Sequence, residues 1–394
     1  MCTNLCLPLQ TELHQARISA RTMDFGSIEY LHDAISVDIF PHVLAFPRGH
    51  SFPISHNKVL AGIEELTHLV PENPLVWENQ YGFVAVDIGP SLWGKIELPL
   101  DAIVPIMGDG MNEHGLSAAS LWLQGAEYQP EGESNNLLFL DVMAWALGTC
   151  KTVGEVKEKL KGINVVSPSK LVAGYPAHFV FIDPNPDIKP LIVEYVGGEM
   201  KTYEADNGVI TNEPPYPEQL ANLAKPEYAA MTVFDRPDGN PGLLNLPDDS
   251  SPESRFVRAT KLASTTYQAK TIDEAVGTAW QVIQNLQVPW GTNVKPDAPN
   301  KGELTDMTQW TVVRNHAARH YYYKSAFNQN AQRIDLTKLT WEGDAVRRIN
   351  LDDGPTYLDV TAQLQGPSQA PSVASPTEVG HLKERKGCLG KLFG

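Results

Sequence analysis

The sequence predicts an α+β fold, and three observations carry that expectation. Stretches with a period of two open the chain and return near residues 177–204 and 309–324. Capping boxes that pair Thr152 with Glu155, Ser250 with Glu253 and Thr271 with Glu274 announce helices in separate places. The glycine-rich run Gly108-Asp109-Gly110 does not open a helix after a strand, so it is no dinucleotide fingerprint. With 394 residues, 42% of them apolar, the chain can bury a substantial core as one large domain or two ordinary ones.

Taken in order, residues 2–7 read as a short strand with Cys2, Asn4 and Cys6 on one face, stopped by Pro8, and Cys6 is read as buried. From His14 to Met23, Ala16, Ile18 and Ala20 alternate with Arg17, Ser19 and Arg21, the pattern of a half-buried strand that forms a hairpin with the first. Residues 27–110 are rich in Pro, Gly and aromatics and read as strand and long loop, with strand pieces at Lys58 to Gly62 and Tyr81 to Ile88. Trp77, Tyr81, Phe83 and Trp93 suit either a pocket lining or plain core. Gly108-Asp109-Gly110 and the following Met111-Asn112-Glu113-His114-Gly115 are read as a tight turn before a strand from Leu116 to Leu123. His114, beside Glu113, is either a base or a solvated turn histidine.

Helical periodicity starts near Asn136 with an almost wholly apolar helix, and a second helix follows from Thr152. Strands are expected from Ala177 to Ile182, from Leu191 to Val196 and, after the Gly197-Gly198 turn, from Met200 to Glu204. A short strand from Gly208 to Thr211 delivers Asn212 to a turn. Ser250-Ser251-Pro252-Glu253 opens a helix with proline in its first turn, and Thr271 to Leu286 forms another with Ile272, Val276, Ala279, Ile283 and Leu286 on one stripe. Gln309 to Arg314 and His320 to Lys324 read as paired strands.

Chemistry concentrates at the start. If Met1 is removed, Cys2 carries a thiol and a free α-amine on one residue, groups that ordinarily titrate near ~8.5 and ~7.7 to 8.0. Such a residue is a nucleophile with its own base, suited to acyl transfer. Position alone leaves the other reading open, in which Met1 stays and the cysteine is incidental. Arg21 and Asp24 close the second strand; they are either a surface ion pair or, if the hairpin folds back, the groups that face the thiol and the amine. Asn212 suits plain turn chemistry, and equally an amide N–H₂ aimed at an oxyanion. Arg255 stands in the first turn of its helix, where the dipole disfavours a cation, which points to a role outside the helix. His316 and His320 are four apart, but no carboxylate or cysteine nearby completes a ligand set, so no metal site is expected.

Other classes are set aside on composition. A net charge of −16 opposes binding to nucleic acid. Four cysteines do not make a disulfide framework. No signal peptide or spanning segment is seen, so a cytoplasmic location is expected, or a periplasmic one if the sequence is a mature form. Composition changes at residue 366, giving a catalytic domain over 1–365 and a Pro/Ser-rich linker with a basic tail over 366–394 that is read as disordered. Contact of this tail with an anionic membrane, with Cys388 as a lipid site, is the lesser reading.

Met1-Cys2-Thr3-Asn4, Arg21-Thr22-Met23-Asp24, Asn112-Glu113-His114-Gly115-Leu116, Ile210-Thr211-Asn212 and Ser251-Pro252-Glu253-Ser254-Arg255 together resemble the choloylglycine hydrolase family, N-terminal-nucleophile hydrolases that include bile salt hydrolases and penicillin V acylases. The blocks occur in family order from residue 1 to about residue 335. The resemblance implies a four-layer αββα sandwich of two antiparallel sheets, a homotetramer, and a cofactor-independent amidohydrolase with a small-molecule amide substrate. It implies Cys2 as the nucleophile, Arg21 and Asp24 beside it, Asn212 as an oxyanion donor and Arg255 as the arginine completing the site. The second oxyanion donor, a backbone N–H, falls at Trp122, where bile salt hydrolases often carry asparagine. Tryptophan there is similar to the Gram-negative penicillin V acylase branch, which takes phenoxyacetyl amides and, in some members, N-acyl homoserine lactones. Conjugated bile salts are the alternative substrate, and an idle acyl-binding protein the alternative class.

Overall fold

β1 (Cys2–Cys6) and β2 (Ile18–Phe25) pair antiparallel with Cys2 opposite Met23 and Asn4 opposite Arg21, the hairpin expected from their alternation. The computed structural model describes residues 1–8, 16–25, 42–51, 71–87, 106–167, 176–231, 242–243, 245–294 and 305–362. His14, Trp93, the strand piece at 58–62 and the tail from residue 366 lie outside them. The remaining strands are β3 (His42–Phe46), β4 (Phe83–Asp87), β5 (Met107–Asn112), β6 (Ser117–Trp122), β7 (Asn136–Leu138), β8 (Asn164–Val166), β9 (Ala177–Ile182), β10 (Leu191–Val196), β11 (Glu199–Glu204), β12 (Asn293–Val294), β13 (Thr305–Asn315), β14 (His320–Ser325), β15 (Gln332–Asp335) and β16 (Arg347–Asn350). The helices are α1 (Val142–Thr149), α2 (Val153–Leu160), α3 (Tyr216–Leu223), α4 (Pro226–Ala229), α5 (Pro252–Thr265) and α6 (Ile272–Gln284).

Among the described residues the first sheet runs β1-β2-β13-β14-β15, with β12 on β13, and the second runs β11-β10-β9-β6-β5-β4-β3-β16, all pairs antiparallel. α5 and α6 cover the first sheet through β1, β2 and β13, and α1 covers the second through β5 and β6. This is the mixed α+β sandwich that the resemblance implies. One apolar cluster holds Leu5, Ala20, Val84, Met111, Val312 and Ile283, and a second holds Phe83, Leu137, Trp145, Leu147, Phe179 and Tyr195. With helices on one side and a sheet on the other, β2 is buried on both faces rather than half-buried as its alternation suggests.

Several elements differ from the sequence expectation. Gly108-Asp109-Gly110 is not a turn but the middle of β5; the turn is Glu113–Gly115. The glycines permit close approach: a Cβ on Gly110 would stand 2.7 Å from the Val84 carbonyl oxygen, and one on Gly108 3.4 Å from Arg21 Nη1. The apolar run at Asn136 begins as β7, paired in parallel with β8, passes through a 3-10 turn at Phe139–Asp141 and becomes α-helical at Val142. At α5 the cap is Ser251, whose hydroxyl accepts the Ser254 N–H at 3.3 Å, and not a Ser250–Glu253 box. Thr152 and Thr271 cap α2 and α6 as their boxes predict, accepting the N–H of Glu155 and Glu274, whose carboxylates reach back one residue further, to the N–H of Lys151 and Lys270. Trp77 and Phe83 are core residues, and His114 is an exposed turn residue against Tyr81.

The chain divides into Met1–Thr356 and Tyr357–Gly394; the described residues of the second unit, 357–362, are exposed. No helix among the described residues is long and apolar enough to cross a membrane.

Candidate active site

Strand parity decides what surrounds Cys2. Arg21 and Met23 share the inter-sheet face of β2 with the Cys2 side chain: Arg21 Nη2 lies 3.7 Å from Cys2 Sγ and 3.1 Å from Met23 Sδ, and it also donates to the Ser120 carbonyl of β6. Met23 Sδ is 3.2 Å from the thiol. All of these side chains are buried. Among the described residues Arg21 Nε and Nη1 find no hydrogen-bond acceptor.

Asp24 has the opposite parity and turns toward α5. Its carboxylate accepts from Thr22 Oγ1 at 2.8 Å and from Thr308 Oγ1 and stands 4.0 Å from Arg255 Nη1. Burial pushes its carboxyl above the usual range, opposed by Arg255, the chain-terminal ammonium and the two hydroxyls. Arg255 is pushed down by the same burial, opposed by Asp24 and Cys2. Its guanidinium donates to the Cys2 carbonyl, to Thr3 Oγ1 at 2.7 Å and to Asn212 Oδ1 at 2.6 Å. The first-turn arginine therefore does work away from its helix.

With Met1 on the chain, the partner of the Cys2 backbone nitrogen is Asn212 Oδ1 at 2.7 Å, not Asp24; Asp24 meets Met1 through main-chain bonds in both directions. Two donors on Oδ1 fix the Asn212 amide, and Nδ2 then donates to the Trp122 carbonyl at 2.9 Å. One Nδ2 hydrogen is left over beside the Trp122 main chain. Cys2, Arg21, Asp24, Asn212, Arg255 and Trp122 thus meet at one place, drawn from β1, β2, β6, α5 and the segment bridged to β1 at Asn4 and Ile210.

The sequence reading missed the support. Asp109 of β5 accepts from Arg314 through Nε at 3.1 Å and through Nη2, and from Tyr321 Oη at 2.8 Å, and its Oδ2 is 3.9 Å from Arg21 Nη1. Arg314 continues to Ser19 Oγ at 2.8 Å, which bonds His316 Nε2 at 2.8 Å. The three guanidiniums of Arg21, Arg255 and Arg314 and the two carboxylates of Asp24 and Asp109 are all buried. The signal in the sequence is a charge between two glycines, a pattern that equally suits a turn. Among the described residues no cluster of His, Cys, Asp and Glu has the arrangement of a metal site.

The linear amide C–N hydrolase, choloylglycine hydrolase family model matches residues 2–349. The chain is 30% identical to a penicillin V acylase of Pectobacterium atrosepticum over 306 residues, 73% of this chain and 74% of that protein. It is 26% identical to a bile salt hydrolase/transferase of Clostridium perfringens over 262 residues, 62% and 76% of the two chains. In structure it is similar to a conjugated bile acid hydrolase variant from Clostridium perfringens (TM-score 0.67, 22% identity, 89% of this chain and 97% of that one). It is likewise similar to a penicillin V acylase from Agrobacterium tumefaciens (TM-score 0.63, 24% identity, 89% and 91%). The chain belongs to the choloylglycine hydrolase family of linear amide C–N hydrolases.

Proposed function

We propose that the protein is an N-terminal-nucleophile amidohydrolase that uses Cys2, after loss of Met1, to cleave an amide with an apolar acyl group, as a penicillin V acylase does. The observation that carries the reading is the convergence of Arg21, Asn212 and Arg255 on Cys2 inside a buried site. The Cys2 thiolate attacks the amide carbonyl, and the oxyanion takes hydrogen bonds from Asn212 Nδ2 and the Trp122 backbone N–H. The protonated α-amine gives its proton to the departing nitrogen, leaving a thioester on Cys2. Water, losing a proton to the same amine, attacks the thioester and releases the acid and the free thiol.

The acyl preference rests on Trp122 at the oxyanion position, where the chain resembles the penicillin V acylase branch. Penicillin V and a long-chain N-acyl homoserine lactone are therefore the first substrates to test, with glycocholate and taurocholate as the alternative. Intact mass and amine release are measured on one sample. The expected result is loss of Met1 and release from penicillin V or the lactone, abolished in Cys2→Ala. Turnover that survives Cys2→Ala, or that proceeds with Met1 retained, refutes the nucleophile assignment; release from the bile salts alone moves the substrate to the other branch.

A further inference from the structure

His178 of β9 and Glu194 of β10 form a fully buried pair that the proposed chemistry does not use. His178 Nδ1 is 3.0 Å from Glu194 Oε1, and Nε2 is 3.1 Å from the carbonyl oxygen of Thr211. The Tyr216 N–H donates to both oxygens of Glu194, at 3.0 and 3.1 Å, so Glu194 stands as an accepting carboxylate. A carbonyl can only accept. Both ring nitrogens therefore face acceptors, and both must carry hydrogen.

Asn212 follows Thr211 directly, and Tyr216 opens α3, so Glu194 holds the segment from both sides. On one side its charge fixes His178, which pins the Thr211 carbonyl. On the other it takes the first N–H of α3, a favourable place for an anion. α3 in turn carries Gln219, whose Nε2 donates to the Asn212 carbonyl at 2.6 Å and to that of Pro214 at 2.8 Å, while its Oε1 accepts Thr211 Oγ1 at 3.1 Å. Every main-chain carbonyl that sets the direction of Asn212 is thus tied, directly or through α3, to one buried carboxylate.

We propose that His178, as imidazolium, and Glu194 are positioning residues that hold the Asn212 amide against Cys2 and Trp122. The proposal rests on the reading of Asn212 as an oxyanion donor. A neutral ring would keep one of the two bonds and set a bare nitrogen against the Thr211 carbonyl. Glu194→Gln removes the counter-charge and places an amide hydrogen toward the Tyr216 N–H, releasing both sides together. The change reaches the reaction only through the direction of Asn212, so turnover falls while ground-state substrate binding and the thiol stay as they were.

The test uses full-length protein labelled with ¹⁵N in its histidine rings, with the His178 signals identified by their loss in His178→Gln. At pH 7 both His178 ring nitrogens are expected to be protonated in the wild type, and one is expected to be bare in Glu194→Gln. In both variants kcat is expected to fall about tenfold or more, up to the loss of about 10² to 10³-fold that removing an oxyanion donor outright brings. KM is expected to stay within about twofold, and Cys2 to react with iodoacetamide at the wild-type rate. A bare ring nitrogen in the wild type overturns the proposal, as does a folded Glu194→Gln with wild-type kcat. Where His178→Gln does not fold, the His178 ring is identified instead by its through-space contacts with Glu194 and Thr211 in the wild type, so the ring spectrum decides without turnover and without a stable variant. Absence of amine release from the wild type would instead count against the amidohydrolase reading of the site.

Discussion

Asp109→Asn keeps the shape of the side chain and removes one charge from the middle of the second sheet. The carboxylate accepts two bonds from Arg314 and one from Tyr321 and is 3.9 Å from Arg21 Nη1, and none of the four side chains is exposed. In the variant an amide N–H₂ replaces one oxygen and confronts a guanidinium donor, and two buried arginines lose their nearest carboxylate. Removing one partner of a buried ion pair costs about 3–5 kcal/mol, against about 0–1 kcal/mol for an exposed pair. Measured by denaturant unfolding, the unfolding free energy should fall by that amount with an unchanged m-value, the midpoint moving down in proportion. Adding Arg314→Met should cost much less than it does in the wild type, because the two residues share one interaction. A loss below about 1 kcal/mol in Asp109→Asn would refute the view that this carboxylate neutralises the arginines behind the thiol.

Asn212→Ala deletes the amide that links Cys2, Arg255 and Trp122, and kcat should drop about 10² to 10³-fold in an amine-release assay; near-normal turnover removes it from the chemistry. His316 is buried, donates Nδ1–H to the Gly115 carbonyl at 2.8 Å, and is pushed down to about 3 by burial and by Arg314. Its folded value lies below its unfolded value near ~6.5, so the stability tied to its neutral form is complete above that pH and is lost as pH falls; by pH 5 the loss is about 2 kcal/mol, and unfolding titrations should show it missing in His316→Gln. Gly110→Ala would put its Cβ 2.7 Å from Leu147 Cδ1 and from the Val84 carbonyl and should destabilise by about 1–3 kcal/mol. Gly277→Ala, in α6 with open space around it, should instead stabilise by about 0.4–1 kcal/mol, both changes being read as shifts in the unfolding midpoint.

The sequence by itself determined what local periodicity and capping can encode. β9 and β10 run over Ala177–Ile182 and Leu191–Val196 as their alternation and the Gly197-Gly198 turn require, and Thr152 and Thr271 start their helices. The hairpin of β1 and β2 also follows from alternation, and with it the placing of Arg21 beside the thiol. Tertiary structure decided what a one-dimensional pattern leaves open, because a period of two says which residues share a face but not what lies opposite that face. It sent Asp24 to the helix side, toward Thr308 and Arg255, instead of to the Cys2 nitrogen. It made Gly108-Asp109-Gly110 a strand, in which Asp109 meets Arg21 and Arg314 and Gly110 lies against Leu147 and the Val84 carbonyl. It brought Asn212 and Arg255 to Cys2 from more than two hundred residues away, through contacts between sheet, helix and loop that no local signal encodes.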